Sequence, residues 1–200
     1  MKKILLLLFV AVFASSVSAC GDDDEPKTEI PGGDDTEVPE DSKILVAYFS
    51  WGGTTRRMAE QIAEQTGGTL FEIVPVTPYP TEYTPCTEVA LAERDSDARP
   101  AIKNRVADMD SYDIVFVGCP VWWHTAPMII STFTESYNLD GKIVVPFCTY
   151  ASTYRDETLE KIVSLTPGST HLAGLGLTSS GVGNRDNVAT WLKNINVVKE

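Results

Sequence analysis

From Lys43 onward the apolar positions fall into two alternating regimes. Residues 44–49 (Ile-Leu-Val-Ala-Tyr-Phe), 114–119 (Ile-Val-Phe-Val-Gly-Cys) and 143–148 (Ile-Val-Val-Pro-Phe-Cys) are nearly continuous apolar runs. That is the pattern of strands covered on both faces of a parallel sheet. Residues 70–74 and 170–175 are more mixed and read as edge strands. Pro146 removes one ladder donor and is expected near the end of its strand. Between these runs the apolar spacing turns helical. Met58 and Ile62 form one stripe, stopped by Gly67-Gly68. Pro127 suits a first helical position, ahead of Ile129, Ile130, Phe133 and Tyr137. Leu159, Ile162 and Val163 make a third stripe; Val188, Trp191, Leu192 and Ile195 make a fourth. Residues 79–110 predict only a short helix over 88–94, otherwise loop. Strands alternating with helices imply an α/β three-layer sandwich around a five-stranded parallel sheet in the order 2-1-3-4-5. In such a sheet, ligands bind beyond the carboxyl ends of the strands where the order reverses, so the loops after Phe49, Cys119 and Cys148 are the ones to read.

The first 42 residues follow different rules. Met1-Lys2-Lys3 precedes eleven apolar residues, Ile4 to Ala14, and then Val17-Ser18-Ala19-Cys20. A membrane-spanning helix needs about 20 apolar residues, so residues 1–19 read as a secretory signal peptide. The small residues before Cys20 resemble the lipobox of bacterial lipoproteins, which implies that Cys20 is acylated and becomes the first mature residue. Residues 20–42 then form an acidic tether: ten acidic side chains against Lys27 lie between residues 21 and 42, with too little apolar surface to offset the entropy of ordering. An acidic run at this place resembles the surface-export signal of such lipoproteins. The expected location is therefore the outer membrane, facing the periplasm or the outside, with the lipid as the sole membrane attachment. The tether carries most of the net charge of −12. The acidic balance argues against nucleic acid as a partner. Cys86, Cys119 and Cys148 show no close-spaced metal motif and read chiefly as buried thiols.

The three loops carry the chemistry. Ser50-Trp51-Gly52-Gly53-Thr54-Thr55 joins the first strand to the first helix, where glycines, hydroxyls and a helix N-terminus suit a phosphate. Arg56 and Arg57 add positive potential. Alone, the same residues also describe a plain glycine turn with a threonine cap. The second loop is Pro120-Val121-Trp122-Trp123-His124-Thr125-Ala126-Pro127. Two adjacent indoles cannot both enter one core, so at least one is expected at the surface, where a flat aromatic ligand would stack; packing on the sheet edge and on a neighbouring helix is the alternative. His124 is either a ligand donor or a group bonded to nearby backbone. The third loop, Thr149-Tyr150-Ala151-Ser152-Thr153-Tyr154, adds aromatics and hydroxyls.

Taken together, the strand 44–50, the 75–83 segment, residues 112–118, the Pro-x-Trp-Trp-x-x-x-Pro loop, Pro146–Thr149 and Trp191-Leu192 resemble the flavodoxin-like proteins of bacteria across residues 43–200. The resemblance implies FMN as cofactor. Ser50, Trp51, Gly52, Gly53, Thr54 and Thr55 would hold its phosphate. Pro120, Val121, Trp122, Trp123, His124, Thr149, Tyr150 and Ala151 would surround the ring. The family's usual Ser-x-Thr-Gly-Asn-Thr is altered here, with Gly52 in place of Thr and Thr54 in place of Asn. Losing such hydrogen bonds to a charged group is expected to weaken binding roughly ten- to a hundredfold. Implied functions are an electron carrier serving a redox partner protein, or a reductase passing electrons from a nicotinamide to a quinone-like small molecule. A binding module that has lost its flavin is the alternative from another class.

Overall fold

The computed structural model describes residues 38, 39 and 41–198. The segment expected to be a signal peptide, Cys20 and most of the expected tether lie outside them. Within the described residues the elements are β1 (Ile44–Tyr48), α1 (Thr54–Thr66), β2 (Thr69–Glu72), α2 (Tyr83–Asp95), a 3-10 turn (Met109–Ser111), β3 (Ile114–Pro120) and α3 (Met128–Glu135). They continue with β4 (Ile143–Thr149), α4 (Arg155–Ser164), β5 (Thr170–His171), β6 (Leu175–Leu177), α5 (Ser179–Gly183) and α6 (Arg185–Asn194). The sheet runs β2-β1-β3-β4-β5, with β6 also paired to β4, and every pairing is parallel.

The period of two explains why the central strands are apolar throughout. Ile44, Val46, Tyr48, Phe116, Val145 and Phe147 face one layer, packed with Met58, Ala59 and Ile62 of α1 and Val188, Trp191 and Leu192 of α6. Leu45, Ala47, Val115, Val117, Cys119 and Val144 face the other, against Ile129, Ile130 and Phe133 of α3 and Ile162 of α4. Each strand residue thus has a helix to bury against, which leaves no polar face. Helix α1 ends on Gly67 in the left-handed region, φ 68°, as the Gly-Gly pair predicts. Gly118 lies between Tyr48 of β1 and Phe147 of β4, and the Phe147 ring occupies the space a Cβ would need, 2.0 Å away.

Four expectations need correction. Pro127 caps α3 from the preceding position, with extended ψ, and Tyr137 lies beyond that helix. Helix α2 spans thirteen residues where a short turn is expected. Only Cys86 and Ala90 of it are buried, so its apolar stripe is two small residues wide, too faint to read against Glu88, Glu93 and Arg94. Pro85 is no obstacle, because the first-turn N–H groups have no intrahelical acceptor.

The remaining two concern Pro146 and the fifth strand. Pro146 sits at the middle of β4, not near its end. Val144 O accepts from Leu172 N, and Tyr150 N donates to Leu177 O, so the even-numbered positions of β4 face β5 and β6. There the neighbouring strand is broken in two. Val144 pairs with His171 but Phe147 with Leu175, so three steps along β4 match four on its neighbour. This is a one-residue bulge opposite the missing N–H. Gly174 makes it possible, since a Cβ there would lie 2.8 Å from Pro146 O. Ala173 O is satisfied instead by Trp191 Nε1 at 2.8 Å.

Candidate functional site

At the end of β1 the chain turns through Ser50–Gly53 into α1. Gly53 adopts φ 85°, a left-handed conformation that glycine takes at little cost. It turns the backbone so that Ser50 Oγ accepts from Gly53 N (3.1 Å) and Arg56 N (3.2 Å). Gly53 O in turn accepts the first helical bond, from Arg57 N. The N–H groups of Thr54 and Thr55 occupy the first turn, where no intrahelical carbonyl reaches them, and the helix dipole adds partial positive charge. Such a cluster of inward N–H donors is an anion cradle.

The two arginines separate in role. Arg56 pairs with Glu72 at 2.6 Å, which cancels most of its field at the loop. Arg57 makes no ion pair among the described residues and reaches Ser179 Oγ, in the lining of the cradle chamber, at 3.4 Å. The Thr55 and Thr149 hydroxyls bond to each other at 2.7 Å, both buried. They lock the start of α1 to the end of β4.

The Trp-Trp loop folds into a tight reversal. Trp122 N donates to Thr125 O and Thr125 N to Trp122 O, with Trp123 at φ 47° and His124 at φ 70° between them. Two consecutive left-handed residues make a turn of the I′ kind, normally the province of Asn and Gly. For an indole and an imidazole this costs about 1–2 kcal/mol each. The loop's outward contacts offset it. Trp123 Nε1 donates to Thr87 O on α2 at 2.6 Å, Arg94 lies 5.6 Å over the Trp123 ring, and Arg94 Nη1 donates to Trp123 O. On the other side His124 stacks on Tyr154 of the third loop, centroids 3.7 Å apart. Trp122 points inward, edge-on to Phe49 and Tyr79 at 5.3 and 5.0 Å. The paired indoles thus divide as expected: Trp122 is half-buried and Trp123 is 38% exposed.

These loops enclose two chambers in series. The smaller, about 280 Å³, is lined by the cradle (Ser50, Gly52, Thr54, Thr55), Pro120, Thr149, Tyr150 and Ser179. The larger, about 510 Å³, is bounded by Tyr83, Cys86, Thr87 and Ala90 of α2 with Trp123 and His124. Trp51, Val121, Trp122 and Ala151 line both. Trp51 is fixed there by donating Nε1 to Pro80 O at 2.8 Å. Behind Trp122, Tyr79 Oη donates to Glu93 Oε2 at 2.8 Å. Burial holds the Glu93 carboxyl above its ordinary range and raises the Tyr79 phenol well above its own. Burial also lifts Cys86, pushes Cys148 up to about 12 and Cys119 well above its usual value. All three thiols stay protonated, so what the site offers is a shaped, mostly neutral cavity and an anion cradle, not a thiolate.

Residues 43–195 match the family described as Flavodoxin. The chain belongs to the flavodoxin family. Solved structures agree. A protein from Bacteroides eggerthii, assigned as a flavoprotein, is 36% identical, with a TM-score of 0.68 over 79% of this chain and 99% of its own. A similarly assigned protein from Bacteroides uniformis is 35% identical, TM-score 0.67, over 76% and 98%. A flavoprotein from Lactobacillus acidophilus, solved in complex with FMN, shares the fold at 24% identity, TM-score 0.63, over 75% and 98%. No curated protein matches the chain.

In this flavodoxin domain all fourteen positions singled out in the sequence gather at the carboxyl edge of β1, β3 and β4. Thirteen line one or both chambers directly, among them Trp123 and His124 at the α2 side and Ser50 and Thr149 at the cradle side. Gly53 acts through its backbone turn. What the sequence did not signal is the α2 wall of Tyr83, Cys86, Thr87 and Ala90, together with Ser179. Their helix carries no legible stripe, and a lone serine after β6 has no pattern to distinguish it.

Proposed function

We propose that this chain is an FMN-binding redox protein. The observation that carries the reading is the continuous crevice: an anion cradle at one end, a wider aromatic chamber at the other, joined through Trp51 and Trp122. The donor set fits a phosphorylated, planar heterocycle. The Thr54 and Thr55 N–H groups and Arg57 would take the phosphate, and Pro120, Thr149 and Tyr150 would border the sugar-alcohol chain. Bound FMN supplies the electron chemistry; the protein orients it, excludes water with its indoles and sets the charge around it.

The reading takes two forms, an electron carrier serving a redox partner or a nicotinamide-dependent quinone reductase. The altered cradle, with Gly52 and Thr54 in place of the family's Thr and Asn, supports weakened affinity. Titrating FMN with protein at about micromolar concentration should quench flavin fluorescence with a single saturable site. Failure to quench assigns the chain to the flavin-free binding-module class instead. For the loaded protein, dithionite should bleach the flavin in either form, and bleaching by NADPH within seconds would establish the reductase.

We also propose export as an outer-membrane lipoprotein, from the residues that precede the folded domain. Cys20→Ser is expected to abolish incorporation of labelled fatty acid and to leave FMN binding untouched. Labelling that persists in the variant would refute the anchor.

A further inference from the structure

Resting on the FMN reading, we propose that Tyr79 and Glu93 are positioning residues for the crevice: their hydrogen bond fixes the Pro78-Tyr79-Pro80 segment, and that segment holds both indoles at the junction of the two chambers. Trp51 and Trp122 come from different loops, one after β1 and one after β3, and each lines both chambers. One dipeptide reaches both. Trp51 Nε1 donates to Pro80 O at 2.8 Å. The Tyr79 ring meets Trp122 edge-on, with centroids 5.0 Å apart and planes at 89°. Phe49 closes the group, 5.5 Å from Tyr79 and 5.3 Å from Trp122. These three rings form a triangle in which none can turn without displacing the others.

The segment is built to hold its shape. Pro75, Pro78 and Pro80 fix their own φ angles, and Pro78 and Pro80 keep Thr77 and Tyr79 out of helical backbone. Its base is tied by Val76 N donating to Ala101 O at 2.8 Å and Lys103 N to Val74 O at 2.7 Å. Its far end runs into α2. Between these ends Tyr79 Oη donates to Glu93 Oε2 at 2.8 Å, which ties the segment to the last turn of α2. Glu93 is half-buried and makes no ion pair among the described residues. An apolar side chain would serve packing at less desolvation cost. The acid's distinct contribution is the acceptor it offers Tyr79. Indoles fixed before the ligand arrives lose less freedom when it binds, so loosening this bond weakens binding although neither Tyr79 nor Glu93 lines a chamber.

The test compares variants of the full chain by FMN titration, near-ultraviolet circular dichroism of the ligand-free protein and urea unfolding. Tyr79→Phe keeps the ring and removes the hydroxyl; Glu93→Leu removes the acceptor; Glu93→Gln keeps an acceptor oxygen in its place. Tyr79→Phe and Glu93→Leu are each expected to raise the Kd for FMN about tenfold and to alter the aromatic dichroism. Glu93→Gln should stay within about threefold of the parent and keep its spectrum. The double variant Tyr79→Phe with Glu93→Leu should be no worse than either single, since both remove one bond. Parental affinity in Tyr79→Phe, Glu93→Gln as impaired as Glu93→Leu, or additive losses in the double variant would each overturn the proposal. So would a lowered urea midpoint with affinity and dichroism unchanged, the mark of a bond that only supports the fold. Should unsubstituted protein fail to bind FMN, the FMN reading itself falls, while the dichroism of the ligand-free variants still reports whether this bond sets the indoles.

Discussion

Gly118→Ala is expected to be the most damaging single methyl in the domain. Gly118 lies in β3, fully flanked by β1 and β4, and the added carbon would sit 2.0–2.4 Å from three atoms of the Phe147 ring. That ring is itself fully buried and belongs to the cluster that joins β4 to α1 and α6. It has no solvent to swing into, so the sheet or the helix layer must move. Overpacking a close-packed core costs typically about 1–3 kcal/mol, and a collision this deep with a rigid ring belongs at or above the upper end. Measured by urea unfolding, the loss should reach about 3 kcal/mol or more, or the protein should fail to accumulate. A change under about 0.5 kcal/mol would mean the Phe147 ring does not pack over Gly118. Phe147→Leu combined with Gly118→Ala should recover part of the loss, since the two effects share one space.

The second large effect is on binding. Gly53→Asp places a carboxylate at the N-cap of α1, beside the donors proposed for the phosphate. A Cβ at Gly53 meets nothing within 4 Å, so the cost to folding is the left-handed φ alone, about 1–2 kcal/mol for an L residue and less for Asp, which tolerates this region. An acidic N-cap also favours the helix dipole. Stability should therefore change little. Affinity should not: like charges share the cradle, and the Asp side chain competes for the N–H groups it would vacate. A loss of FMN affinity of about a hundredfold or more is expected by fluorescence titration. Riboflavin, which lacks the phosphate, should bind parent and variant equally. If FMN affinity survives the substitution, the phosphate does not sit at the start of α1.

Much of this architecture was legible before any coordinates, for a physical reason. β1, β3 and β4 are covered by helices on both faces, so every residue from Ile44 to Phe49 or Ile114 to Cys119 is under the same demand to be apolar. Helices α1, α3 and α6 bury wide stripes and show them. The cradle was legible because phosphate recognition at a helix start needs small, turning residues next to a strand. Three features were hidden. Helix α2 hangs on Cys86 and Ala90 alone, and a two-residue contact leaves no periodicity. The Trp123–His124 turn uses residues whose left-handed geometry is set by contacts with Thr87, Arg94 and Tyr154, none of them neighbours in sequence. The split of the fifth strand depends on Pro146 meeting Gly174, a coincidence of partners 28 positions apart that becomes visible only once the register is known. The shared cause is that each of these is decided by a long-range partner, whereas patterning reports local demand.

The bulge at Ala173–Gly174 has a further effect. β5 and β6 close one side of the sheet, and an unbroken strand there would offer a row of free donors and acceptors to any passing chain. Two short pieces out of phase by one residue offer no such template, because a straight newcomer that matches Thr170 and His171 is misaligned by Leu175. On the opposite border, Asn104 Nδ2 donates to Glu72 O at the end of β2 and Asn104 Oδ1 accepts from Val74 N just beyond it. With one side ragged and the other capped at the end of β2, the sheet is poorly shaped for growth by strand addition.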